Sequence, residues 1–322
     1  MDNRDTKQIS KTGALRKQSV LNVVRASLPI FGLIAVCILF NILTRGSMWD
    51  SRKLILNQVY VVLISATGVF FIMTMGGLDF SQGSIMGIAS IVVCKLSGVN
   101  MALAIAGGIL AGAAIGGFNA FFYVNRKIKS FIVTICTMFL FRGVIKYMAS
   151  NSPVAANLKV YDYDTTPIKL GITVAVIIIS FIVFRYTKFG INLKAIGAGE
   201  KAVKFAGVRT DRIKFLIYVL SGAITGLAAF VNIVKNGSAT ANVGNQLETQ
   251  ILIALVLGGM PISGGAKARF ENVIVGSLLY IVLNNGLIMM GLLPQTMQLI
   301  QGVVFLIFVA VFADRENLSV IK

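Results

Sequence analysis

Histidine is absent from this chain of 322 residues, and only 12 residues are acidic. The three cysteines, Cys37, Cys94 and Cys136, each sit singly in an apolar run. There is therefore no C-x-x-C pair, no disulfide framework and no Cys/His set that could hold zinc. A phosphate-cradling G-x-x-x-x-G-K-[ST] loop, an H-E-x-x-H helix and a G-x-S-x-G elbow are all missing. The nearest nucleotide fingerprint is the G-x-G-x-x-A spacing of Gly197, Gly199 and Ala202. It lacks the preceding strand of a βαβ unit, so these glycines read as turn residues. With no catalytic constellation and no metal set, the chain is read as a non-enzyme.

What the sequence has in abundance is apolar length. Hydrophobic residues make up 56% and charged residues 13%, and the mean hydropathy is +0.83. The apolar segments run on without the alternation of lipid-facing strands, which points to helices rather than a barrel. The expected fold is all-α: a polytopic membrane protein of about ten helices, some broken or re-entrant. The spans fall at roughly 28–43, 54–75, 84–98, 101–124, 130–149, 167–185, 213–234, 248–263, 272–292 and 295–312. Residues 1–27 form a basic cytoplasmic tail, 28–314 the membrane domain and 315–322 a cytoplasmic C-terminus. No small-residue cleavage site follows the first apolar run, so that run is read as an uncleaved span.

The net charge of +18 would suggest nucleic acid in a soluble protein, but here the basic residues fall in short loops between spans, with no recognition motif. They set orientation instead. With both termini inside, 21 Lys/Arg lie in inner segments and seven in or near outer ones, which is the asymmetry of a positive-inside topology. Arg142 and Lys146 remain, one turn apart inside the fifth span. Lys146 is expected to snorkel outward, and Arg142 to meet a cavity or a partner. Glycines recur at four-residue spacing at Gly83 and Gly87, at Gly108, Gly112 and Gly116, and at Gly222 and Gly226. They predict close helix contacts within the subunit.

Two Gly-rich polar segments interrupt the apolar pattern at membrane depth: MTMGGLDFSQGS over 73–84 and LVLGGMPISGGAKARFEN over 255–272. Irregular backbone there must be buried in protein or line a wet cavity. Asp79, embedded between two spans, reads either as a pathway residue or as an N-cap for the next helix. The outer segment NSPVAANLKVYDYDTTP, with Tyr161, Asp162, Tyr163 and Asp164, reads as a partner surface or a solvated loop.

The longest polar island between apolar segments is YTKFGINLKAIGAGEKAVKFAGVRTDRIKF, over 186–215. Within it EKAVKFAGV predicts a short amphipathic helix, with Ala202, Phe205 and Ala206 on one face and Lys201 and Lys204 towards water or a partner. Ion-coupled carriers rely on intramembrane ionisable residues, of which this chain has few. A pore subunit driven by an external ATPase needs instead a rigid cytoplasmic element, and the island fits that need.

The run KFGINLKAIGAGEKAVKFAGVRTDRIKFLIYVLSGAITGLAAF, together with GGLDFSQGS and LVLGGMPISGG, resembles the ribose/xylose/galactose-type sugar permeases of bacterial ABC importers, within the wider permease superfamily that includes branched-chain amino acid permeases. The resemblance covers about 30–315 and implies that Ala195, Gly197, Glu200, Ala202, Gly207 and Val208 couple to an ATPase. It maps the family's G-G-I-D-L-S-x-G-S onto Gly76, Gly77, Asp79, Ser81, Gly83 and Ser84. The family's L-G-G-x-x-x-x-G-G maps onto Gly258, Gly259, Ser263, Gly264 and Gly265. AKARFENVIVG departs from the shorter Gly-rich passage usual in the family, which bears on the substrate.

By implication the chain works in the bacterial cytoplasmic (inner) membrane with separate cytoplasmic ABC ATPases, an extracytoplasmic solute-binding protein and a second permease subunit, identical or not. ATP and Mg would be bound by the ATPases, and this chain would carry no cofactor. Polar residues expected to line the path are Asp79, Ser81, Asn119, Asn284 and Asn285. Other readings within reach are an ABC permease for a nucleoside or branched-chain amino acid, and a secondary carrier independent of ATP.

Overall fold

A computed structural model describes residues 27–312. Apart from Ser27, the expected basic tail lies outside the described residues, as does the expected terminus 315–322. The described chain is all-α apart from a two-residue antiparallel pairing of β1 (Val154–Ala155) with β2 (Ser238–Ala239). Its helices are α1 (Ser27–Leu43), α2 (Ser47–Asp50), α3 (Arg52–Thr74), α4 (Gln82–Ser97), α5 (Met101–Ala120), α6 (Ser130–Met148), α7 (Thr166–Tyr186), α8 (Lys188–Phe205), α9 (Thr210–Asn236), α10 (Leu247–Leu257), α11 (Glu271–Met289) and α12 (Pro294–Phe312). A π-helical turn, Phe121–Asn125, extends α5.

Among the described residues six helices are long and apolar enough to cross a membrane: α3, α5 with its π turn, α6, α7, α9 and α11. The others among the ten expected spans, α1, α4, α10 and α12, are shorter apolar helices. The span expected over 248–263 ends at Leu257, leaving a helix of 11 residues. At 1.5 Å per residue it is about 16 Å long, roughly half the hydrocarbon thickness. What stops it is Gly259, whose φ of +86° sets up a closing pair of bonds, Gly259 N to Val256 O and Met260 N to Leu255 O. This is the Schellman pattern, open to glycine because it has no β-carbon.

At the centre stands α3, buried along nearly its whole length from Val59 to Thr74. Against it pack α9, α10 and α11. The glycine spacings are used within this chain, as expected. A β-carbon on Gly112 would collide with the carbonyl of Gly222, and one on Gly222 with the carbonyl of Gly112. Gly108 and Gly226 repeat the relationship one turn along. α5 and α9 thus meet backbone to backbone, the arrangement that replaces hydrophobic driving force between helices in lipid. Gly87 serves α4 similarly, seating Ile145 of α6 where its own side chain would stand.

Candidate functional site

The two interruptions meet. α3 ends in a Schellman turn, Gly76 N to Met73 O and Gly77 N to Ile72 O, with Gly76 at φ +81°. The loop after α10 folds onto this turn. A β-carbon on Gly264 would collide with Met73 O, and one on Gly76 would stand 3.2 Å from Ser263 O. Gly265 N donates to Thr74 O at 2.8 Å. Gly258 lies against the carbonyl of Asn272, which lets α11 start close beside α10.

α8 closes over this junction. A β-carbon on Gly197 would stand 2.5 Å from Gly265 N and would overlap Thr74 O. Two segments singled out separately in the sequence, the island and the second interruption, therefore touch through glycines. α8 is longer than the expected EKAVKFAGV helix, beginning at Lys188 and interrupted by extended backbone at Gly199. Ala195 and Val208 pack against the core, whereas Ala202 and Ala206 are exposed and Phe205 is 92% exposed. The expected amphipathic face is thus inverted: Val203 is the buried residue, and the Ala202, Phe205 and Ala206 face looks away from the bundle. Gly207 ends α8 at φ +83° in open space.

Glu200 ties α8 to the start of α9. Its carboxylate receives Lys214 at 2.6 Å and Lys204 at 3.2 Å, and Lys204 also reaches Asp211 at 3.3 Å. Burial alone would raise the Glu200 pKa, but the hydrogen bonds and charges of Lys214 and then Lys204 hold it below the usual carboxylate value. Lys204, hydrogen-bonded to Glu200 and Asp211, is raised above the usual amine value.

Next to the first interruption lies a buried polar network. Asp79 Oδ1 accepts from the Ser81 backbone N at 2.8 Å and from Ser81 Oγ at 2.6 Å, and its Oδ2 accepts from Gln82 Nε2 at 2.7 Å. Asn119 Nδ2 donates to Ser81 Oγ at 2.8 Å. Gln82 joins α9 by donating to Ser221 Oγ and accepting from Thr225 Oγ1. Ser84 Oγ donates to Ser81 O. Asp79 thus holds the entry to α4 at Ser81 rather than capping the helix's own N–H groups. Asp79, Ser81 and Asn119 come together here, all three buried; Asn119 Oδ1 is left without a partner.

Asn284 and Asn285 stand elsewhere, towards the opposite end of α3. Asn285 exchanges amide hydrogen bonds with Gln58, and Asn284 Oδ1 accepts from Gln301. Here a cavity of about 210 Å³ is lined by Asn57, Gln58, Asn232, Lys235, Asn245, Gln250 and Asn284, with Val61, Val62 and Met86 among its apolar walls. Gln250 also lines a larger groove of about 470 Å³ between α10 and α12, with Gln246, Gln298 and Gln301. Sequence reading missed most of these amides. The available signal was a polar side chain in an otherwise apolar helix, as at Asn57 and Gln58 in α3 and Asn232 in α9.

Arg142 has its partner. It pairs with Glu248 at 3.7 Å and donates to the carbonyls of Val243, at 2.8 Å, and Gly244. Gly83 leaves room for this cluster, since a β-carbon there would strike Glu248 and the Gly244 carbonyl. Lys146 is exposed, as expected. In the segment after α6, Asp164 pairs with Lys169, which also donates to Asn57 at the cavity wall.

Central irregular junctions, polar groups inside the bundle and an exposed helix at one end define a membrane transport component. Residues 52–309 match the family described as branched-chain amino acid transport system / permease component, and the chain belongs to that family. It is similar to the ribose import permease protein of Bacillus subtilis, with 31% identity over 90% of this chain and 92% of the relative. The ribose import permease protein of Escherichia coli K12 is 29% identical, covering 82% of this chain and 85% of its own. The galactofuranose transporter permease protein of the same organism is 29% identical over 87% of this chain and 84% of its own. No solved structure gives a significant match.

Proposed function

We propose that this chain is the transmembrane permease subunit of an ATP-driven ABC importer that carries a monosaccharide or a similar small polyhydroxylated solute across the bacterial cytoplasmic membrane. The observation that carries the solute class is the amide-lined cavity. Asn57, Gln58, Asn232, Asn245, Gln250 and Asn284 offer both donors and acceptors, and Lys235 adds a donor. Hydroxyls, which both donate and accept, suit such a wall. An aliphatic amino-acid side chain could exchange no hydrogen bond with this wall. The names of the ribose and galactofuranose relatives support the same class.

In this reading the α8 end is cytoplasmic, as are both termini, and the amide cavity opens towards the binding protein. Two ATPase subunits bind the nucleotide and its Mg, and they engage the exposed Ala202, Phe205 and Ala206 face. A second permease subunit, identical or not, completes the path along the groove between α10 and α12. ATPase closure moves α8, and the glycine contact of Gly197 with the second interruption passes the displacement to the ends of α3 and α10. The bundle then alternates between two access states, with differential contacts in each supplying the coupling energy.

The test is uptake into proteoliposomes containing the permease, its ATPases and its binding protein, with a radiolabelled monosaccharide panel set against leucine and a nucleoside. ATP-dependent uptake of one sugar is expected. Uptake that persists after the ATPase is removed would identify an ATP-independent carrier, and transport of leucine alone would overturn the solute class.

A further inference from the structure

Near α8, a second cavity has no place in the transport path just described. About 440 Å³ in volume, it lies between the start of α1, the end of α7, α8 and the start of α11. Three basic side chains line it, Arg185, Lys194 and Arg269, against one acidic side chain, Glu271. Among the described residues none of the three makes an ion pair. Lys194 Nζ sits 4.6 Å from the centre of the Phe184 ring, which fixes its amine over an aromatic face at the cavity wall. The remaining wall includes Ile30, Phe181 and Phe270. Beyond the rim, exposed apolar residues continue into the bundle's flank, Phe31 and Ile34 on α1 and Ile178 and Ile182 on α7.

The cavity is therefore charged at one end and continuous with a lipid-facing surface at the other. A soluble anion would need only the charged end, whereas a molecule with a phosphate head and acyl tails would use both. Basic pockets between helices at the cytoplasmic edge attract anionic headgroups, with about 1 kcal/mol available per basic residue near the surface. We infer that this cavity binds the headgroup of an anionic phospholipid, with Arg185, Lys194 and Arg269 around its phosphate and the acyl chains along α1 and α7. The arrangement places a lipid against α8 beside Gly258, at the base of α10, where it would brace the junction from the membrane side. Burial, the nearby charge of Arg185 and, in the opposite sense, Glu271 leave Lys194 below the usual amine value.

The experiment uses the full chain in detergent, exchanged with dioleoyl phosphatidylglycerol or dioleoyl phosphatidylcholine and read by native mass spectrometry. Inorganic phosphate serves as the soluble competitor. Selective retention of phosphatidylglycerol is expected, falling about fivefold for each charge removed in Arg185→Gln and Arg269→Gln and staying near the unmodified level in Arg185→Lys. Thermal unfolding of each variant establishes that it is folded. Equal retention of the two lipids, or retention unchanged in the folded double variant, would overturn the inference. Displacement of phosphatidylglycerol by millimolar phosphate would overturn the lipid assignment. Loss of ATPase association in the double variant without any change in lipid retention would mark the cavity as a protein contact and also overturn it.

Discussion

Gly197 of α8 lies against Gly265 of the loop after α10 so closely that a β-carbon on Gly197 would stand 2.5 Å from the Gly265 nitrogen. Gly265 in turn is hydrogen-bonded to the last residue of α3, Thr74. α8 is thereby joined to the end of α3 and to the loop after α10 with no intervening flexible side chain. Contacts of this kind are between backbones, so no rotamer change can loosen them.

The pairing of Glu200 with Lys214 and Lys204 should set a pH window for the α8–α9 corner. Glu200 is lowered in the folded state, so its contribution is present above the unfolded carboxylate value of about 4.3 and fades as pH falls through the lower folded value. Lys204 is raised, so its contribution is present below about 10.4 and is lost as pH rises through its higher folded value. Hydrogen exchange at the start of α9 should be slow and pH-independent, after correction for intrinsic rates, between those limits. Glu200→Gln should speed it throughout the window, and an unaltered exchange profile would count against the pairing.

At the α5–α9 crossing, Gly112→Val drives two methyl groups towards the Gly222 carbonyl. Overpacking of this kind costs about 1–3 kcal/mol, and a backbone neighbour puts this site at the upper end. A lower thermal midpoint in detergent is expected, with Gly143→Ala, which meets nothing within 4 Å, as the neutral comparison.

Arg142 and Glu248 are nearly enclosed, with side chains 13% and 10% exposed. Arg142→Met leaves the carboxylate unpaired and should cost roughly 3 kcal/mol. Adding Glu248→Gln should recover most of the loss. No recovery in the double variant would mean that the hydrogen bonds to Val243 and Gly244, not the charge pair, hold the segment after β2.

If the amide cavity reads the solute, Asn245→Leu should lower sugar uptake about tenfold, the worth of one good hydrogen bond at about 1.4 kcal/mol, while basal ATP hydrolysis persists. Wild-type uptake in a folded Asn245→Leu protein would move the solute path elsewhere.

Much of this was legible in the sequence because it follows from periodicity and composition. The long spans show as unbroken apolar runs. The interruptions show because Gly76–Gly77 and Gly258–Gly259 combine with polar neighbours where lipid forbids open backbone. The Gly112 and Gly222 crossing was foreshadowed by four-residue spacing, though not which helices it joined. The length of α10 was misjudged, since Met260, Pro261 and Ile262 prolong the apolar run past the glycine that ends the helix. Nor could the sequence place Gly197 on Gly265, because a contact between two backbones leaves no side-chain pattern. Asn57, Gln58 and Asn232 were passed over for a similar reason: a single amide in a long apolar helix is visible, but its convergence with others is a property of the fold.

The central claim, that α8 drives the bundle through Gly197, is tested most directly by sugar-stimulated ATP hydrolysis in proteoliposomes carrying permease, ATPases and binding protein. Gly197→Val should reduce stimulated hydrolysis to the basal rate while the protein remains inserted and bound to its ATPases. Gly199→Ala, two residues away in extended backbone with nothing within 4 Å, should retain stimulation. Full stimulation in an inserted, folded Gly197→Val permease would contradict the account.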